Sequence, residues 1–194
     1  MKFKPAAGRL EASRVKQYYD AGYWRDEVAG DYLQKHAKER PKAIAIVDGN
    51  RRITWGELHK LCVRFALHLK EIGIEPGDVV ALQLPNWFEY IICYHGIQLA
   101  GGIIVQIGAD WGSAEMAYGF NTGPAKVAII PRDYRDHNYS ATLQTLRSKL
   151  PRLEHVMVAR GEVPDLCISL DKLLADPVEE RVTPTNLQKS RINP

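Results

Sequence analysis

ITWGELHKLCVRFALHLKEIGIEPGDVVALQLPNWFEYIICYHGIQLAGGIIVQ, residues Ile53 to Gln106, decides the fold. Its centre is the apolar run VVALQL, with the turn Glu75-Pro76-Gly77-Asp78 in front and Leu84-Pro85-Asn86 behind. A short run rich in Val and Leu between such breakers predicts a buried strand. Helical patterns lie on both sides. Parallel strands need a crossover of a dozen or more residues, so this spacing predicts a parallel strand inside a strand, helix, strand, helix, strand unit.

The flanking segments follow the same grammar. Ahead of the unit, Ala43 to Val47 and Arg52 to Trp55 are short strand candidates joined through Asp48-Gly49-Asn50, and Asp-Gly between apolar runs is a hairpin signal. Thr54 with Glu57 three residues on has the capping-box pattern. Leu58, Leu61, Cys62, Phe65, Leu69 and Ile72 then recur at helical steps up to Gly73. Asn86 is expected to cap a second helix, apolar nearly all round, that ends at Gly101-Gly102. Beyond it the pattern predicts a strand at Ile103 to Ile107, a helix from Ser113 through Phe120 and a strand at Lys126 to Ile130. The loop Arg132 to Asn138, a helix around Ala141 to Leu150 and a strand at Leu153 to Val158 follow. The expected class is therefore α/β, a doubly wound, mostly parallel sheet flanked by helices. Ligands on such sheets bind beyond the carboxyl ends of strands, here Pro85 to Phe88, Gly108 to Ser113 and Pro131 to Asn138.

The chain divides into three parts. Residues 1–42 are an aromatic-rich lead-in: Met1 to Ser13 lack periodicity and are expected to drape loosely, and a helix is expected from about Val28 to Glu39. Its aromatics, Tyr18, Tyr19, Tyr23, Trp24 and Tyr32, serve packing or base stacking, and no basic groove accompanies them, which favours packing. Residues 43–175 are the α/β subdomain, in which the pattern weakens from Arg160 and a short helix is expected at Leu170 to Leu174. Residues 176–194, rich in Pro, Thr and Asn, read as a linker toward a further part of the protein.

Composition narrows the function classes. With 45% hydrophobic and 25% charged residues the chain has globular composition, and its 26 basic and 23 acidic residues are interspersed. That pattern argues for a solvated surface rather than a nucleic-acid footprint. Neither a signal-peptide core nor a run of about 18 apolar residues occurs, so a cytoplasmic protein without a membrane span is expected. Cys62, Cys93 and Cys167 are odd in number and set among apolar neighbours, which fits reduced structural cysteines. His59 and His68 are spaced too far apart to share a metal from one helix face, and His95 reads as a hydrogen-bonded core residue rather than a base.

No phosphate-cradle, nucleophile-elbow or zinc motif occurs in the sequence. Asp133, Asp136 and His137 stand together at a strand end, but Arg132 and Arg135 interleave them, so a solvated polar loop is preferred to an acid/base pair. Those two arginines, just ahead of a helix start, are the best anion contacts in the chain. Residue reasoning gives a fold and a ligand edge, but no catalytic or metal-binding residue.

Five segments in order carry a resemblance: GYW (Gly22 to Trp24), IAIVDGNRRITWGEL (Ile44 to Leu58), GIEPGDVVALQLPNWFE (Gly73 to Glu89), LAGGIIVQI (Leu99 to Ile107) and SAEMAYGFNTGPAKVAII (Ser113 to Ile130). Together they resemble the amino-terminal part of the AMP-forming acyl-CoA synthetase and adenylation-domain superfamily, and most of all its aryl-acid ligases of the dihydroxybenzoate-AMP type and related CoA ligases. ITWGEL is similar to that family's first core motif and LAGGIIVQI to its second. The resemblance implies the first subdomain of the large domain of such a ligase. It also implies an activity: a carboxylic acid and ATP give an acyl-adenylate and pyrophosphate, with Mg²⁺ at the phosphates, and the acyl group then passes to the thiol of CoA or of a carrier protein.

The family's Ser/Thr/Gly-rich phosphate loop follows a segment like SRINP, where this sequence stops at Pro194. The resemblance therefore implies an inactive fragment that binds ATP, Mg²⁺ and CoA weakly at most. Its partners would be the remainder of the parent chain, a carboxylic acid, and whatever associates with exposed apolar surface. Arg132 and Arg135 match the region where the family's CoA ligases meet the nucleotide phosphate of CoA. Where the family has a Pro-Leu-Asn-Pro type loop, this chain has Ile107-Gly108-Ala109-Asp110-Trp111-Gly112. Two other readings stay open: part of an aryl-acid AMP ligase that loads a carrier protein, and a non-catalytic binding or assembly module.

Overall fold

The computed structural model describes residues 11–25, 27–182 and Leu187. Helices α1 (Ala12–Asp20) and α2 (Ala29–Glu39) lead in. α1 lies partly in the segment expected to lack structure, and Met1 to Leu10 fall outside the described residues. It buries none of its own residues, and its aromatic end is held by edge-to-face packing of Tyr18 on Trp24, 5.2 Å between ring centres. α2 starts where the Val28 N–H is accepted by the Asp31 carboxylate at 2.9 Å, and Leu33 carries it into the core.

Strands β1 (Ile44–Asp48) and β2 (Arg51–Thr54) form the expected antiparallel hairpin, turning through Gly49 at φ +56°. In α3 (Trp55–Glu71) the Glu57 N–H donates to Thr54 Oγ1 at 3.2 Å, as the cap pattern predicts, and Gly73 at φ +82° ends the helical turn. β3 (Val79–Leu82) is buried at every position, the mark of a strand covered on both faces. α4 (Phe88–Leu99) does not begin at Asn86. Its first N–H, that of Phe88, donates instead to Asp48 Oδ2 at 3.2 Å, so the hairpin supplies from 40 residues upstream the cap that sequence assigns to a neighbour.

β4 (Ile103–Gln106), α5 (Ser113–Thr122) and β5 (Val127–Pro131) follow as expected. The segment read as a loop is a small hairpin, β6 (Asp133–Tyr134) with β7 (His137–Asn138). α6 (Tyr139–Leu146) starts two residues before Ala141, because Asn138 accepts the Ala141 N–H at 2.7 Å, and it tightens into a 3-10 turn at Arg147–Lys149. β8 (His155–Ala159), β9 (Ile168–Ser169) and α7 (Leu170–Ala175) complete the unit. β9 went unread because two residues are too short to show an alternation, yet Ile168 and Ser169 pair with Met157 and Val158.

The five strands of the main sheet run parallel in the order β4-β3-β5-β8-β9. Alternate residues face two separate cores. Val80, Leu82, Val127, Ile129 and Met157 join α3, α4 and α7 on one face, while Val79, Ala81, Ala128, Ile130, Val156 and Val158 join α5 and α6 on the other. Each large side chain so buried stabilises by about 1.5–3 kcal/mol, which makes this double coverage the main source of stability. The expected doubly wound sheet is therefore present.

Two close contacts tune the first core. α4 crosses α3 at Gly96, where an added Cβ would lie 2.6 Å from Phe65 Cδ1 and 3.1 Å from the Cys62 carbonyl oxygen. Beyond α7, a 3-10 turn at Val178–Glu180 lies on α3 with Val178 fully buried. Buried Arg64 clamps it there, donating to both Glu179 carboxylate oxygens at 2.9 and 2.6 Å and to the Leu174 carbonyl at 2.6 Å. Arg181 likewise grips Asp176 through two bonds of 2.7 and 2.8 Å. Of residues 176–194, those after Val182 except Leu187 lie outside the described residues.

Gly96→Ala is expected to cost about 1–3 kcal/mol, read as a lower urea midpoint at unchanged m-value, because the Cys62 backbone cannot yield. Stability is also expected to fall in acid. Arg64 holds the Glu179 carboxyl below its ordinary range, and the Phe88 N–H does the same for Asp48. A depressed folded pKa gives stability that is complete above the unfolded value, near 4, and is lost as pH falls through the folded one. Urea midpoints between pH 3 and 6 check this, and Glu179→Gln should flatten the acid limb.

Candidate functional site

In the order β4-β3-β5 the chain reverses its direction of travel across the sheet, so the connections that leave the carboxyl ends of β3 and β5 run in opposite directions and open a crevice. All three predicted strand ends meet there. Leu84 to Asn86, Tyr90, Gln106 to Ala109 and Tyr134 line a cleft of about 350 Å³. Tyr90 fixes one wall, its hydroxyl donating to Gln106 Oε1 at 2.8 Å.

The loop after β4 owes its shape to two side chains from neighbouring elements. Gln83, fully buried just past β3, donates through Nε2 to the carbonyls of Gly108 at 2.9 Å and Trp111 at 3.2 Å, while its Oε1 has no partner. The Tyr139 hydroxyl donates to the Ala109 carbonyl. Burial pushes that phenol upward, so it keeps its proton and remains a donor at neutral pH. The indole of Trp111 folds onto Gly108, where a Cβ would stand 2.8 Å from Trp111 Cδ1. This is how Gly108-Ala109-Asp110-Trp111-Gly112 makes a compact turn without the prolines that the resemblance leads one to expect.

The small hairpin carries both predicted anion contacts. Arg132 leaves β5 with its N–H bonded to the Ala159 carbonyl at 2.9 Å, and its guanidinium meets Asp133 at 2.5 Å. Arg135 is exposed, sits at φ +53°, and lays its guanidinium over the Tyr134 ring at 5.2 Å. Asp133 and His137 do not face one another as an acid/base pair, in keeping with the polar-loop reading. His137 turns to Thr142 Oγ1 at 3.0 Å and packs on Tyr139, and Asp133 is taken by Arg132.

Other candidates stay apart from chemistry. Burial pushes the Cys62, Cys93 and Cys167 thiols upward, so none offers a thiolate. Burial lowers the pKa of His59 and, against a side-chain hydrogen bond with Gln98, that of His95. A larger hollow of about 570 Å³ opens on the lead-in between Tyr19, Tyr23, Trp24 and Tyr32, away from the strand ends. Among the described residues, no group of three or more His, Cys, Asp or Glu is arranged to hold a metal ion, and no helix is long and apolar enough to cross a membrane.

Sequence reasoning passed over Arg160. At the carboxyl end of β8 it donates to buried Glu89 through Nε and Nη2, both at 2.8 Å, and to Asp48 through Nη2 at 2.9 Å. Its guanidinium also lies 4.0 Å from the centre of the Trp87 ring. Only the acid in Val47-Asp48-Gly49 and an isolated Glu at the head of an apolar helix hinted at a shared cation.

Known proteins resemble this chain in sequence and fold. The profile of the AMP-binding enzyme family matches residues 33–188. The 2-hydroxy-7-methoxy-5-methyl-1-naphthoate–CoA ligase of Streptomyces carzinostaticus is 26% identical over 163 residues, 84% of this chain and 29% of its own. The 2,3-dihydroxybenzoate-AMP ligase of Bacillus subtilis is 32% identical over 165 residues, 85% of this chain and 30% of its own. The apo structure of Mycobacterium smegmatis MbtA superposes with a TM-score of 0.77 at 29% identity, over 89% of this chain and 31% of its own. The chain thus spans about three tenths of the length of the relatives it matches. On the match of residues 33–188, in a fold shared with MbtA, the chain belongs to the AMP-binding enzyme family.

Proposed function

We propose that this chain is the amino-terminal part of an ATP-dependent carboxylic acid:CoA ligase. The observation that carries the reading is the family match together with coverage of only 29% of a CoA ligase's length. On this reading residues 43–175 are the first subdomain of the ligase's large domain, and residues 176–194 lead to its remainder. The parent joins acid to ATP with release of pyrophosphate, and a thiol then displaces AMP from the acyl-adenylate to give a thioester. The chain contributes scaffold and a binding edge; the phosphate loop and the catalytic lysines belong to the remainder. Arg132 and Arg135 face the nucleotide phosphate of CoA from the rim of the switch-point cleft, with Arg135, the more exposed, as the direct contact. On this reading Mg²⁺ at the phosphates is held by the remainder of the parent chain. A cytoplasmic location, where ATP and CoA are supplied, goes with this reading.

The second reading, an aryl-acid AMP ligase that loads a carrier protein, is favoured by the 32% identity to the Bacillus subtilis enzyme. The two differ only in the acceptor thiol.

Reading the coding sequence past Pro194 and expressing the longer product is expected to give exchange of pyrophosphate into ATP that depends on a carboxylic acid. Absence of exchange with a broad panel of aryl and alkyl acids would sink both readings. In the active product, CoA and a phosphopantetheinylated carrier are offered side by side to separate them. Arg135→Ala is expected to raise KM for CoA about tenfold, the loss of one charge-assisted contact, with the pyrophosphate exchange rate unchanged.

A further inference from the structure

We propose that Arg160 is a positioning residue for the Arg132–Asn138 hairpin, holding its two arginines at the cleft rim through a continuous stack. The proposal rests on the reading of those arginines as anion contacts only for its purpose, not for its geometry. The stack begins at Glu89, a carboxylate with 3% side-chain exposure in the first turn of α4, which together with Asp48 fixes the Arg160 guanidinium in one plane. A bidentate pair of this kind leaves a guanidinium little freedom. Its face lies 4.0 Å from the centre of Trp87. The Trp87 indole meets Tyr134 edge to face, 6.0 Å between ring centres at 85°. At the far end of the stack is Arg135, whose guanidinium lies 5.2 Å from the centre of the Tyr134 ring.

Arg132 is buttressed from the same segment. A Cβ on Gly161 would stand 3.1 Å from Arg132 Cγ, and only a glycine accommodates both that approach and φ +109°. The Ala159 carbonyl accepts the Arg132 N–H. Residues 159–161 therefore touch both anion contacts, one through direct packing and the other through two aromatic rings. The hairpin itself is only two residues deep on each side, too small to hold its own shape in water. Tyr134 packs against the second core and, edge to face, against Trp87, which Arg160 backs.

Amide hydrogen exchange on the 194-residue chain tests this, comparing Trp87→Leu, Arg160→Met and Arg160→Lys with the unmodified protein. Trp87→Leu leaves the ion pairs in place and cuts the stack. It is expected to speed exchange across Arg132 to Tyr139 by roughly tenfold, with β3 and β8 unchanged. Arg160→Met should do the same, and Arg160→Lys, which keeps the charge for Glu89, should recover part of the protection. Unchanged hairpin exchange in Trp87→Leu overturns the proposal. So does a rise in Arg160→Met that is equal across the whole sheet, since that marks a purely structural ion pair. Should Arg160→Met fail to fold, Trp87→Leu alone decides. Exchange that responds as expected in a protein whose Arg135→Ala variant keeps its KM for CoA would retire the anion reading and leave the coupling intact.

Discussion

A parallel sheet has to be covered on both faces, and that constraint organises this molecule. Every backbone group of β3 is satisfied by a strand on each side, and every side chain of Val79 to Leu82 enters one of two cores. Two layers of helices are then obligatory, because either face left open would expose a continuous apolar surface. The crossovers that deliver them are right-handed by the sterics of L-residues, and the order β4-β3-β5 places a reversal beside the central strand. The cleft between Leu84 and Tyr134 is a geometric by-product of covering both faces.

The polar groups that shape this edge are few and fully engaged on one side only. Buried Gln83 spends both amide hydrogens on the loop after β4 and leaves Oε1 unpaired. Glu89 makes a related case. An acid in the first turn of a helix gains from the helix dipole, but one with 3% exposure would be untenable without a cation, and Arg160 supplies it across 71 residues of chain. The hairpin aspartate Asp48 serves both at once, capping α4 and completing the ring around Arg160. Three segments far apart in sequence are locked at one point behind the cleft.

The elements were legible wherever a local period ran long enough. α3 shows its buried face through Leu58, Leu61, Cys62, Phe65 and Leu69, its start through Thr54 and its end through Gly73, all local chemistry. Boundaries slipped where a tertiary partner replaced a local one: α4 begins at Phe88 because Asp48 caps it, not Asn86. β9 and the β6–β7 hairpin were missed because two-residue strands carry no period of their own and exist only beside what they pair with. Arg132 and Arg135 were singled out because they follow a strand, a positional rule, whereas Arg160 follows one too but in a stretch whose pattern had faded.

By itself the sequence determined the class of fold, the buried central strand, the strand ends that line the cleft and, through the resemblance of five ordered segments, the family. The fold, the strand and its end are written in hydrophobic period and turn chemistry, which act over a few residues and need no partner to be read; the family is carried by resemblance. Tertiary structure alone decided what the edge is made of: that Gln83 and Tyr139 fold the loop after β4, that Asp48, Glu89 and Arg160 meet, and that a guanidinium, an indole and a phenol stack from there to Arg135. Hydrogen bonds and ring contacts act over a few ångströms between residues tens of positions apart, so their partners exist only once the sheet has brought the ends of its strands together.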